Sequence, residues 1–412
     1  MGDVRVQKAI VTLARAFEGR RRTLLLDRKR RQYHYNAGNV PGYIEDHPAV
    51  RTSWQVAPIP ADCQQRRVEI TGPVNNTKMV INMLSPGPDG VRADMAMLDF
   101  EDSMKPTWAN IIDGVYNAIG AAKGSLTHIQ RGEGGKPQKI YQLDPSNMAH
   151  PMFRLRGLHL SESNVTVDGK PVMGGIVDLV LCAAHTTKHF ADRKMTPMYY
   201  IPKVEHYLES RFWHQLFTAA EELLQITPHT LRTTLLIETL PAAFQMEEIL
   251  YEIRERALGL NGGRWDKIFS DIKVLREHAD RILPDRATVN MKKPWMDNYA
   301  KRLIQVCHKH GAFAMGGMSA FTPGKEQETR KAQTEKVRED KAYEAEIGHD
   351  GCWVSHPYFI AMARKQFPNK NQLHRTLPDF PQQPDLLPQG GGPRTMAGLR
   401  TNVRVAIAYL RG

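Results

Sequence analysis

Two carboxylates, Glu238 and Asp266, stand where each would close a β-strand and start a loop. Residues 233–238 read Thr-Thr-Leu-Leu-Ile-Glu, a run suited to a buried strand. Residues 240–256 carry Phe244, Met246, Ile249, Leu250 and Ile253 at helical spacing, with charges on the other side. A second short strand, 257–261, then runs into Gly262-Gly263-Arg264-Trp265-Asp266. Strands joined by a crossover helix lie side by side with their carboxyl ends on one face. The two acidic groups would then meet across a small gap. Two protein oxygens, with the other positions left to water and substrate, suit an octahedral Mg²⁺ site. The glycine pair adds a turn where backbone N–H groups can approach an anion. A strand-end glutamate is also commonly a solvated or ion-paired loop residue, so the neighbouring strand ends have to decide between the two readings.

Strand-like runs occur at 67–72, 95–102, 152–157, 198–203, 233–238, 257–261, 312–316 and 352–356. Helical patterns fall between many of them, at 107–122, 176–190, 207–224 and 297–310. Eight strands alternating with helices predict an α/β fold, a TIM (β/α)₈ barrel, whose catalytic groups gather at the strand carboxyl ends. Those ends supply Asp99, Glu101 and Asp102, then Arg156 and His159, then Lys203 and Glu205. They continue with Glu238, Asp266, the Met315-Gly316-Gly317-Met318 turn, and Trp353, His356 and Pro357. A fixed cation beside an acidic cluster and a metal suits a small anionic carbonyl substrate. The metal would act as Lewis acid and Arg156 would stabilise a developing oxyanion. Arg156 reads equally well as a structural ion pair with Glu101 or Asp102. His308 and His310 read as exposed residues ending a helix. No nucleophile elbow, Walker loop or dinucleotide fingerprint is present.

Residues 1–65 read as an N-terminal helical clasp and linker, helical over 4–35 and irregular over 36–63. Residues 66–365 form the barrel. Residues 366–412 are a Pro, Gln and Gly-rich linker followed by a helix at 395–410, with Met396, Leu399, Val403, Ala406 and Leu410 on one side. That last helix reads as the start of a truncated C-terminal helical domain.

The chain has 412 residues, 41% of them hydrophobic, and no apolar run of the roughly 18 residues that a membrane span needs. Its four cysteines, Cys63, Cys182, Cys307 and Cys352, form no C-x-x-C pair, which fits reduced thiols in the cytoplasm. The N-terminus lacks a signal peptide's apolar region, and Leu410-Arg411-Gly412 is not a peroxisomal tail. A cytoplasmic location is expected, or a glyoxysomal or peroxisomal one if a C-terminal signal follows. The net charge of +12 is concentrated at residues 20–22 and 28–31, read as one helix with a solvated basic face. No nucleic-acid-binding motif accompanies it. A phosphate-bearing molecule such as coenzyme A makes better use of that field.

Several segments, in one order along nearly the whole chain, resemble the A-type malate synthases. They are Asp99-Phe-Glu-Asp-Ser, Arg156-Gly-Leu-His-Leu, Leu-Leu-Ile-Glu238-Thr-Leu-Pro and Gly-Leu-Asn-Gly-Gly-Arg-Trp-Asp266. Leu283-Pro-Asp-Arg, Phe313-Ala-Met-Gly-Gly-Met and Gly348-His-Asp-Gly-Cys-Trp-Val-Ser-His-Pro357 follow. The resemblance implies condensation of glyoxylate with acetyl-CoA and hydrolysis to malate and CoA, the glyoxylate-cycle reaction. It makes Glu238 and Asp266 the Mg²⁺ ligands, and gives Arg156 the glyoxylate and the enolate oxygen. Gly263, Arg264, Trp265 and Asp266 would bind the substrate carboxylate through their backbone. Ser103 and Pro357 would line the CoA path, with Glu101 and Asp102 supporting the reacting groups. The family's general base is an aspartate in the C-terminal helical domain, and no residue here resembles it. Without it, a cost on the order of 10²–10⁴ in rate is expected. Two alternatives use the same barrel: a malyl-CoA or citramalyl-CoA lyase or thioesterase, and a catalytically silent partner-binding subunit.

Overall fold

The structure is a computed structural model describing residues 3–319 and 321–411, so Gly412 lies outside the described residues. Eight parallel strands close into a barrel in chain order. They are β1 (Val68–Pro73), β2 (Met95–Asp99), β3 (His150–Arg154) and β4 (Met198–Ile201). The others are β5 (Arg232–Ile237), β6 (Ala257–Gly262), β7 (Phe313–Met318) and β8 (Gly351–Val354). β1 pairs with β2 on one edge and β8 on the other, which closes the ring. Helices cover the outer faces, so the strands are buried on both sides and read as apolar runs without alternation. β5 and β6 run in register from Leu235 opposite Leu260 to Ile237 opposite Gly262. That register puts the residues following each strand, Glu238 and Gly263, next to one another.

Two strand ends fall earlier than the sequence suggests. β2 stops at Asp99 and β3 at Arg154, where runs to 102 and 157 were expected. The crossover helix expected over 240–256 is two helices, Leu240–Ala243 and Met246–Glu252. Gln245 leaves helical dihedrals at the break, and its Oε1 accepts a hydrogen bond from the Tyr207 amide at 3.1 Å. Two antiparallel hairpins outside the barrel, 127–142 and 161–173, and the helix Gln327–Ile347 add to the expected elements. That helix turns only Val337, Lys341, Glu344 and Ile347 fully inward, too few apolar positions to give a sequence pattern.

At its amino-terminal end the barrel is filled. Met95, Met97, Met152, Met198, Leu236 and Leu258 pack inside it, with Cys63 entering from the turn Ala61–Cys63. A buried ionic network crosses the same space. Arg66 Nε donates to Glu69 Oε1 at 2.7 Å, and its Nη atoms donate to Thr234 Oγ1 and the Tyr200 hydroxyl, both at 3.0 Å. Glu69 Oε2 accepts from Tyr200 at 2.5 Å and from Trp353 Nε1 at 2.8 Å. A buried guanidinium needs partners for its donors, and here Glu69 and residues of two other strands supply three of them. Strand contacts are close: a Cβ at Gly259 would stand 2.1 Å from the Phe313 carbonyl oxygen.

The long first helix, Val4–Asn36, is capped by Asp3 and buries Val6, Ile10, Leu13, Phe17 and Leu24. Its basic residues are not one solvated face. Arg22 and Arg30 are exposed, but Arg21 donates to the Leu158 carbonyl at 2.6 Å. Arg28 pairs with Glu209 at 2.7 Å and donates to the Lys203 carbonyl at 2.6 Å. The sequence expectation fails because acceptors lie on the barrel surface, which a helical wheel does not show. His308 and His310 are buried, not exposed. His308 meets Asp350 at 2.9 Å, and His310 meets Glu247 at 2.8 Å and stacks on Trp54. No helix among the described residues is long and apolar enough to cross a membrane.

Replacing Gly259 with alanine is expected to lower stability by about 1–3 kcal/mol, because the neighbouring strand's backbone must move. A urea unfolding midpoint equal to that of the wild type would show that the strands can yield at no cost.

Candidate active site

β2 hands the chain to a tight turn organised by its last residue. Asp99 accepts backbone hydrogen bonds from Glu101 at 2.9 Å and Ser103 at 2.8 Å, and one from the Ser103 hydroxyl at 2.5 Å. From the next strand, Arg154 grips the same carboxylate bidentately, Nε to Oδ1 at 2.7 Å and Nη2 to Oδ2 at 2.6 Å. Burial opposes the charge on Asp99, but the guanidinium and these donors hold its pKa below the usual carboxylate range. Arg154 Nη1 then lies 3.6 Å from Glu101 and 3.7 Å from Asp102. Both Glu101 oxygens are buried and accept no hydrogen bond. Burial raises the Glu101 pKa well above the ordinary value despite Arg154 and Lys203.

Lys203, just past β4, closes the cluster. Its Nζ is 2.8 Å from Asp102, 3.8 Å from Glu101, 3.3 Å from Glu238 Oε2 and 3.2 Å from Asp266 Oδ2. Its backbone N–H donates to Glu238 Oε1 at 2.7 Å. Glu238 is buried, and burial followed by the nearby Asp266 charge pushes its pKa up to about 7, against the pull of Lys203. Asp266 is half exposed in the first turn of the helix Arg264–Val274, which Gly263 precedes. A Cβ at Gly263 would stand 2.6 Å from the Glu238 Cβ, so glycine is what allows this turn to lie against the glutamate.

One ammonium within 3.3 Å of both Glu238 and Asp266 shows that a single cation can touch both carboxylates at once. With Glu101's unpaired oxygens alongside, the donor set is hard, anionic and incomplete, which fits Mg²⁺ with water and substrate as further ligands. Among the described residues no group of three or more His, Cys, Asp or Glu is arranged to hold an ion, so the fit is to a two-ligand metal.

Arg156 is not part of this cluster. Its Nη2 and Nε donate to Asp178 at 2.7 and 3.0 Å, and its Nη1 donates to Glu162 at 2.8 Å. It packs under Gly174 at the start of the helix Gly174–Asp192. Nor is it paired with Glu101 or Asp102: the arginine beside those residues is Arg154, because β3 ends at Arg154 and not at 157 as expected. Strand alternation does not separate the two, since Arg154 and Arg156 share the parity of the inward-facing Met152, and only the end of β3 decides.

The Arg264 and Trp265 side chains turn away from the metal ligands. Arg264 is bound to Asp340 and to the Met318 carbonyl at 3.0 Å, and Trp265 Nε1 donates to that same carbonyl at 3.1 Å. Only their backbone can face the mouth. Ser103 follows β2 and Pro357 opens a short turn after β8, so they lie on either side of β1. Lys203, to which no motif assigns a role, is the group that unites the cluster.

Residues 151–385 match the malate synthase TIM barrel domain, and residues 8–47 match the malate synthase N-terminal domain. Malate synthase A of Escherichia coli K12 is 42% identical over 409 residues, covering 97% of this chain and 74% of the relative. Malate synthase of Myxococcus xanthus is 44% identical over 407 residues, covering 97% and 73%. The glyoxysomal malate synthase of Gossypium hirsutum is 39% identical, covering 97% and 71%. A Haloferax volcanii malate synthase, solved as a lead(II) complex, shares the fold with a TM-score of 0.51 at 14% identity, covering 83% of this chain and 80% of that one.

Replacing Arg156 with glutamine is expected to cost about 3–5 kcal/mol of stability, since it leaves Asp178 buried and uncompensated. Chemical denaturation reads the effect. A loss under about 1 kcal/mol would show Arg156 to be free for another task.

Proposed function

The chain belongs to the malate synthase family, whose members join acetyl-CoA to glyoxylate and release malate and CoA, and we propose that it runs this reaction at the mouth of the barrel with Glu238 and Asp266 as Mg²⁺ ligands. The observation that carries the reading is the single cation-sized point reached by both carboxylates at 3.2–3.3 Å. Bound there, Mg²⁺ would supply a Lewis acid for the glyoxylate carbonyl.

The remaining roles fall to the chain's own groups. Arg154 takes the part that the family resemblance gave to Arg156. Asp99 fixes two of its nitrogens, and Nη1 faces the acidic cluster as a donor for oxygen that gains negative charge in the enolate. The amides of Arg264, Trp265 and Asp266, in the first turn of an eleven-residue helix, have no intrahelical acceptor and orient the glyoxylate carboxylate. Glu101 and Asp102 hold the two cations in place. Acetyl-CoA enters across β1, between Ser103 and Pro357. Residues 1–65 act as a clasp, since Arg28 fixes the Lys203 carbonyl.

Condensation requires a base to take the acetyl methyl proton. Asp99 and Asp102 have their carboxylate pKa values pulled down, after the opposing effect of burial, by Arg154 and, for Asp102, by Lys203. Groups held that acidic are poor bases for a thioester α-proton.

Mg²⁺ with glyoxylate is expected to raise the thermal midpoint, because ligands bound only to the native state stabilise it. Glu238→Gln should abolish that shift, and no shift in the wild type at saturating concentrations would refute the metal reading. Arg154→Gln should lower kcat/KM for condensation by about 10²–10³, the usual effect of losing an oxyanion donor. CoA release measured with a thiol reagent decides it: an unchanged rate removes Arg154 from the chemistry.

A further inference from the structure

Lys203 is held unusually firmly for a residue just beyond a strand. Its backbone sits in the left-handed region at φ 55°, a conformation unfavourable for a residue that carries a side chain. Two bonds maintain it: the Lys203 amide donates to Glu238 Oε1 at 2.7 Å, and its carbonyl accepts from Arg28 at 2.6 Å. The result is a side chain turned into the cluster, only 19% exposed, where a lysine at a loop start ordinarily reaches for solvent. Its ammonium touches Glu238 Oε2 and Asp266 Oδ2, the oxygens assigned above to the metal, and also Asp102.

We propose that Lys203 is a built-in counter-ion for the metal site, an ammonium that holds the two ligand carboxylates together and gives way to the divalent cation that competes for them. This rests on the metal reading of Glu238 and Asp266. Four carboxylates, Glu101, Asp102, Glu238 and Asp266, converge on this one Nζ. Like charges so close repel, and without a cation they would splay or take up protons. The lysine removes that problem and keeps the ligands near metal-binding geometry. A divalent ion on the same oxygens would stand within a few ångströms of the ammonium, at a repulsion neither can sustain. The ammonium has somewhere to go: Asp102, its nearest partner at 2.8 Å, is 48% exposed and lies on the solvent side. No bond forms or breaks. One cation replaces another, and the lysine remains as a positive group at the mouth beside the substrates. Metal affinity is thereby set by a competition that the protein carries in its own sequence.

Calorimetric titration of Mg²⁺ into the wild-type chain and the Lys203→Met variant tests this. The variant is expected to bind Mg²⁺ about tenfold more tightly, since the competing charge is gone. A lysine that only shapes the site would on removal leave affinity unchanged or weaker, and either result overturns the proposal. Should the variant not fold, reductive methylation of the wild type, read at Lys203 by mass spectrometry, decides the matter. Added Mg²⁺ is expected to raise modification of Lys203 at least threefold over surface lysines such as Lys8 and Lys29, and equal modification with and without Mg²⁺ overturns the proposal. If the wild type takes up no Mg²⁺ in the titration, the metal reading itself falls and this inference with it. Uptake of Mg²⁺ with Lys203 unmoved defeats this inference alone.

Discussion

Closing eight parallel strands into a ring forces their carboxyl ends together, and in this chain those ends are acidic. Asp99, Glu101, Asp102, Glu238 and Asp266 follow strands of one barrel and meet over one small area. Such a concentration of like charge is stable only with cations among it. Among the described residues Arg154 and Lys203 supply them, and they divide the task. Arg154, with a planar fork, binds Asp99 bidentately and shapes the 99–103 turn. Lys203, a point charge on a flexible stem, spans the gap between the turn after β2 and the loops after β5 and β6. The rest of the molecule serves this arrangement. The long first helix reaches over to fix the Lys203 carbonyl, and Gly263 lets one loop lie against another.

The two arginines of Arg154-Leu155-Arg156 show how position decides role. Both are buried and both are paired with carboxylates. Arg156 is consumed by Asp178 and Glu162, which tie the loop after β3 to the helix that follows. Arg154 is paired with Asp99 yet keeps one nitrogen at the edge of the cluster, 3.6 Å from Glu101. A guanidinium fixed on one side and open on the other is preorganised for charge that appears during a reaction. The same side chain saturated on all sides is a strut.

The barrel was legible in the sequence because each of its strands is a short apolar run between helical stretches, and all eight occur where those runs lie. Glu238 and Asp266 were legible for the same reason: each follows a strand, and strand order alone makes them neighbours. The choice between Arg154 and Arg156 was not, since it depended on where β3 ends to within two residues, which no local pattern marks. The inward-facing basic residues of the first helix were hidden too. Arg21 and Arg28 find acceptors only on the assembled barrel. His308 and His310 were misjudged because their partners, Asp350 and Glu247, lie 42 and 63 residues away in sequence. Lys203 was visible as a residue but not as a centre, because its meaning lies in four carboxylates from other strands.

The plug formed by Arg66, Glu69, Tyr200 and Trp353, backed by methionines and Cys63, leaves the barrel no back door among the described residues. Everything that reaches the cluster arrives and departs by the same opening. A molecule lying deepest in the mouth is covered by any second one that lies across the entrance.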